Sequence, residues 1–172
     1  MKANIELALR TREVYQLFER KLKKNRLFID AIQHRINKLI NLSKQQCKQS
    51  TTVLEQLKDK LTSLTTYFLA EITRFNVLLN QNKVLEGKSI QYVIQFRPTI
   101  ILYNHLSPLL VKFLECYDHL IATLKLLRLA GCFCSEIDYF HTVKQYQKMA
   151  NQLLSSLLII NNPLDHKRLK IL

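Results

Sequence analysis

The sequence predicts a mainly α fold, a multi-helix bundle with one or two short strands. Three observations predict it. Apolar residues recur every three or four positions through most of the chain, the spacing of an amphipathic helix. Two glycines and three prolines interrupt 172 residues, so helices are long and connections short. One stretch breaks the helical rhythm. Between Lys88 and Pro98, Ile90, Tyr92, Ile94 and Phe96 alternate with Ser89, Gln91, Val93, Gln95 and Arg97. Strict alternation bounded by Gly87 and Pro98 marks a half-buried strand. A lone strand leaves its backbone groups unpaired, so this one needs a partner.

The elements follow in order. Ile5, Leu7 and Leu9 alternate with Glu6, Ala8 and Arg10, which reads either as a short strand or as an extended lead-in. Thr11 is placed to cap a helix carrying Val14, Leu17, Phe18 and Leu22. Asn25 stands at a break, and a second amphipathic run places Leu27, Phe28, Ala31, Ile32, Ile36, Leu39 and Ile40 on one face. The polar segment Ser43 to Thr51 reads as a connection. Thr52 and Glu55 then make a capping-box pattern that opens a long helix reaching about Leu79. After the alternating strand, Ile100 to Tyr103 either extends it past Pro98 or begins a helix. Ser107-Pro108 is a helix start, Ala130-Gly131 a helix stop, and Ser135 caps a last helix whose apolar face includes Ile137, Phe140, Leu153, Leu154 and Leu157. The whole reads as a single domain, 1–172: a basic helical part (1–86), a strand-helix-helix part (87–160) and a basic tail (161–172).

The net charge is +13 and the isoelectric point about 9.7, an excess that points to an anionic partner. Residues 1 to 50 carry 12 Lys/Arg against 4 Asp/Glu, and the densest cluster is Arg20, Lys21, Lys23, Lys24 and Arg26. No run approaches the roughly 18 apolar residues of a membrane span, and the first residues lack a signal-peptide core. These features predict a cytoplasmic protein with its four cysteines reduced. The chain has no phosphate-cradling glycine loop, no Ser/His/Asp or Cys/His signature and no HExxH. No enzyme activity, cofactor, metal or small-molecule substrate is expected. Cys132, Cys134 and His141 could offer three zinc ligands, with a fourth to come from Cys116 or His119, but the two cysteines read instead as small apolar residues near a helix junction, and Asp118-His119 as a surface or packed polar pair without a functional role.

The strand offers more chemistry. A two-stranded ribbon fits the DNA major groove, where Gln can pair bidentately with adenine and Arg with guanine. Gln91, Gln95 and Arg97 are the candidate base readers. Strand, helix, glycine turn and helix follow the order of a ribbon-helix-helix core, in which strands of two subunits pair. In that arrangement Ser135 at the last helix start, with Lys88 and the cluster Arg20, Lys21, Lys23, Lys24 and Arg26, would hold phosphates. A rival ribbon lies at Asn4 to Arg10, also followed by two helices, but Glu6 on its outer face would repel phosphates. Two other readings compete: a helical adaptor or secretion-type chaperone without DNA binding, and a membrane-surface helix exposing Val14, Leu17 and Phe18.

Three segments resemble a known family: Leu7 to Lys21 (LALRTREVYQLFERK), the strand ending in Gln95 to Pro98 (QFRP), and Glu115 to Phe133 (ECYDHLIATLKLLRLAGCF) with its Tyr117-Asp118 and Gly131. They are similar to the AcaB-like proteins of conjugative plasmids and integrative conjugative elements. The resemblance implies a homodimeric transcriptional regulator of ribbon-helix-helix type in the bacterial cytoplasm. It also implies double-stranded DNA as the partner and activation of conjugative-transfer genes.

Overall fold

A computed structural model describes residues 3–45, 48–86, 88 and 90–159 of the chain, and the side chain of Lys24 lies outside the described residues. Seven elements are found among them: β1 (Ala3–Glu6), α1 (Arg12–Glu19), α2 (Phe28–Lys44), α3 (Lys48–Asn80), β2 (Thr99–Leu102), α4 (Ser107–Leu129) and α5 (Glu136–Ile159). The fold is mainly helical, with a two-stranded antiparallel sheet of β1 and β2.

Helices α3 and α4 form the spine. Phe68 of α3 meets Phe113 and Tyr117 of α4, with centroids 5.8 and 5.9 Å apart, and further along Asn82 donates to the Ala130 carbonyl. Contacts keep nearly the same offset, so the two helices run in the same direction. The chain must therefore travel back along the bundle between them, and residues 81–106 make that return. α5 runs the opposite way: Tyr146 packs edge-on against Phe68 and Phe75, and its hydroxyl donates to Glu71, which Arg74 also holds. α2 closes the bundle against α3 and α5.

Several local signals act as the sequence implies. Gly131 adopts φ +71°, and Cys132 and Gly131 donate to the carbonyls of Leu127 and Arg128, which ends α4 in a Schellman turn. The Ser135 hydroxyl accepts from Asp138 N–H and donates to its carboxylate at the start of α5. The α4 stripe from Leu110 to Leu127 is buried throughout.

Others are corrected. The predicted connection Ser43 to Thr51 shrinks, because α2 continues to Lys44 and α3 begins at Lys48. Thr52 therefore caps nothing and donates back to the Lys48 carbonyl inside α3. Ser107 is the first residue of α4; Asn104 accepts from the amides of Leu106 and Ser107 instead, freeing the Ser107 hydroxyl to donate to buried Gln33. On α5 the buried face begins with Tyr139, Val143 and Tyr146, leaving Ile137 and Phe140 exposed. Tyrosines take the inner positions because hydroxyls such as that of Tyr146 find partners there. Val14 and Leu17 are buried and Phe18 packs on the core, so α1 offers no apolar face to a membrane. No helix among the described residues is long and apolar enough to cross one.

Candidate nucleic-acid interface

The predicted strand at 88–98 is the largest correction. Regular pairing starts only after Pro98, in the stretch that the sequence left ambiguous. β1 and β2 pair with Ala3 opposite Leu102 and Glu6 opposite Thr99. The same register carries on past the strands: Leu7 N–H donates to Pro98 O, Leu9 N–H donates to Phe96 O, and Leu9 O accepts from Gln95 and Phe96. The N-terminal candidate ribbon thus pairs within the chain, with a stretch running from Phe96 to Leu102 that overlaps only the end of the 88–98 candidate. Within 88–98, only Gln95, Phe96 and Pro98 bond to the N-terminal segment, at Leu7 and Leu9. Gly87 and Ser89 lie outside the described residues.

Upstream of Phe96 the segment is an extended arm laid on α4. Tyr92 anchors it: its ring meets His119 edge-on at 5.6 Å, Arg10 lies 5.5 Å over its face, and its hydroxyl lies 3.4 Å from that of Thr123. Phe96 stacks on Tyr15 of α1 at 4.5 Å. Tyr92 and Phe96 are half-buried as the alternation requires, but Ile90 and Ile94 are exposed. Gln91, Gln95 and Arg97 all face solvent. Arg97 is held by Glu6 across the ladder at 2.9 Å, with the two side chains 61% and 54% exposed. A pair so open is worth only about 0–1 kcal/mol.

What fixes the arm and ladder is a residue the sequence reading set aside. Asp118 is fully buried on α4. Its carboxylate accepts from the amides of Arg10 and Thr11, from the Thr11 hydroxyl at 2.7 Å and from the Arg10 guanidinium at 3.2 Å. Thr11 occupies the cap position of α1 as predicted, but its hydroxyl donates to Asp118 and makes no cap bond of its own. Asp118 therefore ties the end of the ladder and the start of α1 to the spine. Lys125 adds a second tie by pairing with Glu13 at 2.7 Å.

Beside Asp118, burial and, less strongly, Arg10 push the His119 imidazole below its usual pKa of 6.5, while Asp118 pulls the other way. The unfolded chain then takes up a proton before the folded one does. Stability through this group is intact above pH 6.5 and falls as pH drops from 6.5 through the lowered folded value. Urea unfolding on either side of pH 6.5 is expected to show that loss, and His119→Gln to remove its share of it. Burial likewise raises the Cys116 thiol to about 11.

The basic cluster sits on a tight hairpin. Phe28 N–H donates to Arg20 O and Leu22 N–H to Arg26 O, closing a short 3-10 turn over Lys23–Asn25 with Asn25 at φ +56°. Asn tolerates this left-handed geometry better than most residues. Lys21, Lys23 and Arg26 are exposed on it, and Arg20 lies 4.4 Å over the Phe28 ring. Between the hairpin and α2 runs a groove of about 520 Å³ lined by Lys23, Arg26, His34, Arg35, Lys38 and Leu158 among others. It continues along α2 past Lys38 to Asn41 and Gln45. Among the described residues, no carboxylate lines either part. None of the five ion pairs among the described residues draws on Lys21, Lys23, Arg26 or Lys38.

His34, Arg35 and Lys38 were missed in the sequence, although a signal existed. The α2 apolar stripe of Ile32, Ile36, Leu39 and Ile40 leaves positions 34, 35, 38 and 41 on the outer side. The other predicted phosphate ligands are placed elsewhere. Lys88 is exposed near the far end of the arm, and the Ser135 hydroxyl is occupied by Asp138, whose carboxylate disfavours a phosphate there. Cys132 and Cys134 are exposed, and among the described residues no three of His, Cys, Asp and Glu gather as a metal site would need.

No family model matches the sequence, and no curated protein does. Among solved structures, the crystal structure of AcaB from uropathogenic E. coli is similar, with a TM-score of 0.59 over 91% of this chain and 76% of that one, at 12% identity. The fold is AcaB-like. Helical spine, ladder and basic groove are the features of this chain that the likeness leaves to be read from its own residues.

Proposed function

We propose that this chain is a DNA-binding transcriptional regulator of a conjugative plasmid or integrative conjugative element, acting as a homodimer in the bacterial cytoplasm. The observation that carries the reading is the groove between the hairpin and α2, lined by Lys23, Arg26, Arg35 and Lys38 and by no carboxylate among the described residues. Duplex DNA presents a phosphate charge about every 1.7 Å of axis, and neutralising several of them with Lys and Arg supplies sequence-independent affinity. The AcaB-like fold supports the regulator reading.

Base preference is assigned to the ladder and its arm. A two-stranded ribbon fits the major groove whether its strands come from two chains, as in a ribbon-helix-helix dimer, or from one. Gln95 and Arg97 continue the β2 side of the ladder, and Gln91 lies further along the arm. Arg97 exchanges Glu6 for a guanine edge at little cost, since that ion pair is open to water. The test is selection of preferred duplexes from a random pool, followed by affinity measurement. Gln95→Ala and Arg97→Ala are expected to relax preference by about 1–3 kcal/mol at one position each, with non-specific affinity little changed. Unaltered preference in both variants would take base reading away from the ladder.

A further inference from the structure

One end of the bundle gathers six of the fourteen exposed large apolar side chains found among the described residues. The C-termini of α3 and α4 and the N-terminus of α5 meet there: Asn82 bonds to Ala130 and Cys132, and Arg128 pairs with Glu136. Large apolar side chains stand in water at this end: Val77 and Leu78 on α3, Val84 in the loop after it, Leu129 on α4, and Ile137 and Phe140 on α5. Leu129 is 84% exposed and Ile137 67%. Apolar groups gathered at one end of a protein mark an interaction site more often than chance exposure.

Charge says which partner fits. The whole chain carries +13, yet residues 77–88 hold Lys83, Lys88 and Glu86, and residues 128–141 hold Arg128, Glu136 and Asp138. Cations and carboxylates there are equal in number, so this end is neutral with His uncharged. Two copies of so basic a chain repel one another over most of their surface, and least where the local charge cancels. A nucleic acid or acidic protein gains nothing from a neutral apolar surface. A two-fold contact is self-complementary, so Arg128 and Lys83 of one copy can face Glu136 and Asp138 of the other around an apolar centre.

We infer that this end of the bundle is where two copies of the chain meet. The inference rests on the homodimer in the reading above but not on its DNA binding. It leaves the basic groove free: Leu158 borders the groove while Ile137 lies about 21 residues earlier on α5, which places the two features roughly 30 Å apart.

Sedimentation velocity without DNA tests it. The chain is expected to run at twice its 20.3 kDa mass, Leu129→Asp and Ile137→Asp at the single mass with unchanged helical circular dichroism, and Lys38→Gln still at twice. If either Asp variant fails to fold, the native cysteines serve instead. In a Cys47→Ser chain, a short bismaleimide should join two copies through exposed Cys132 or Cys134, and replacing both with Ser should abolish the product. A dimer that survives both Asp variants, or gives no cross-link at these cysteines, would move the contact elsewhere and overturn the inference. A single-chain mass at every concentration would overturn it together with the homodimer, including the case where another protein covers this end. DNA retardation, measured separately, shows whether the groove reading stands in each case.

Discussion

Asp118→Ala is expected to lower stability by about 2–5 kcal/mol, the cost of leaving the buried amide and hydroxyl of Thr11 without an acceptor. The carboxylate is fully buried and accepts five hydrogen bonds, two from backbone amides, two from the Arg10 and Thr11 side chains, and one more from the second oxygen's contact with Arg10 N–H. Without it the Thr11 amide and hydroxyl lose their partner in a site closed to water, and Arg10 keeps only its stacking on Tyr92. For a domain of this size each kcal/mol moves the melting midpoint by about 2–4 °C, so a fall of roughly 10 °C is expected by circular dichroism. Asp118→Asn retains one acceptor oxygen and should fall between the two. Glu13→Gln, which removes a partly exposed partner of Lys125, should cost under about 1 kcal/mol. The loss should extend to function: the ladder and arm hang on this carboxylate, so any base preference should weaken in Asp118→Asn before the helices melt. A cost for Asp118→Ala no greater than that for Glu13→Gln would mean that the ladder is held by its apolar contacts alone.

The second large effect concerns the groove. Lys23→Gln, Arg26→Gln and Lys38→Gln together remove three cations from a wall that contains no carboxylate among the described residues. Each phosphate contact contributes about 0.9 to the slope of log affinity against log salt, so the triple variant should lose close to three from that slope. At moderate salt this amounts to a weakening of DNA binding by orders of magnitude, uniform across sequences, because phosphate contacts carry no base information. The Gln side chains leave the fold unchanged, since Lys23, Arg26 and Lys38 are exposed and outside every ion pair found among the described residues. The contrast with Arg97→Ala is diagnostic, for that variant should change preference more than overall affinity.

These two sites differ in how they could be read from sequence. Local chemistry was legible. The Gly131 stop and the Ser135 cap each depend on residues within a turn or two, and each forms as read. The cluster from Arg20 to Arg26 was legible as charge, and its place on a hairpin was announced only by Asn25. Asp118 was legible only in part: Leu114, Tyr117 and Ile121 place it beside the α4 stripe, but its partners lie more than 100 residues away in the chain. The strand was displaced for a related reason. Alternation in 88–98 is real, but a ladder forms where a partner lies alongside: β1 pairs with residues 99–102, and Leu7 and Leu9 after it reach back only to Pro98, Phe96 and Gln95. The face of α5 was misread at its start because Ile137 and Phe140 outrank Tyr139 and Tyr146 in hydrophobicity, while the tyrosines bury their rings and still find polar partners. The exposed pair left behind is what singles out the neutral end of the bundle.

The most direct test of the DNA-binding account is the affinity of the intact chain for a duplex of arbitrary sequence, measured by fluorescence anisotropy as salt is raised. The account predicts clear binding at low salt and a log–log slope of about −3 to −5, reflecting phosphates met by Lys21, Lys23, Arg26, Arg35 and Lys38. A slope near zero, or no binding at low salt where even non-specific association should appear, would contradict it.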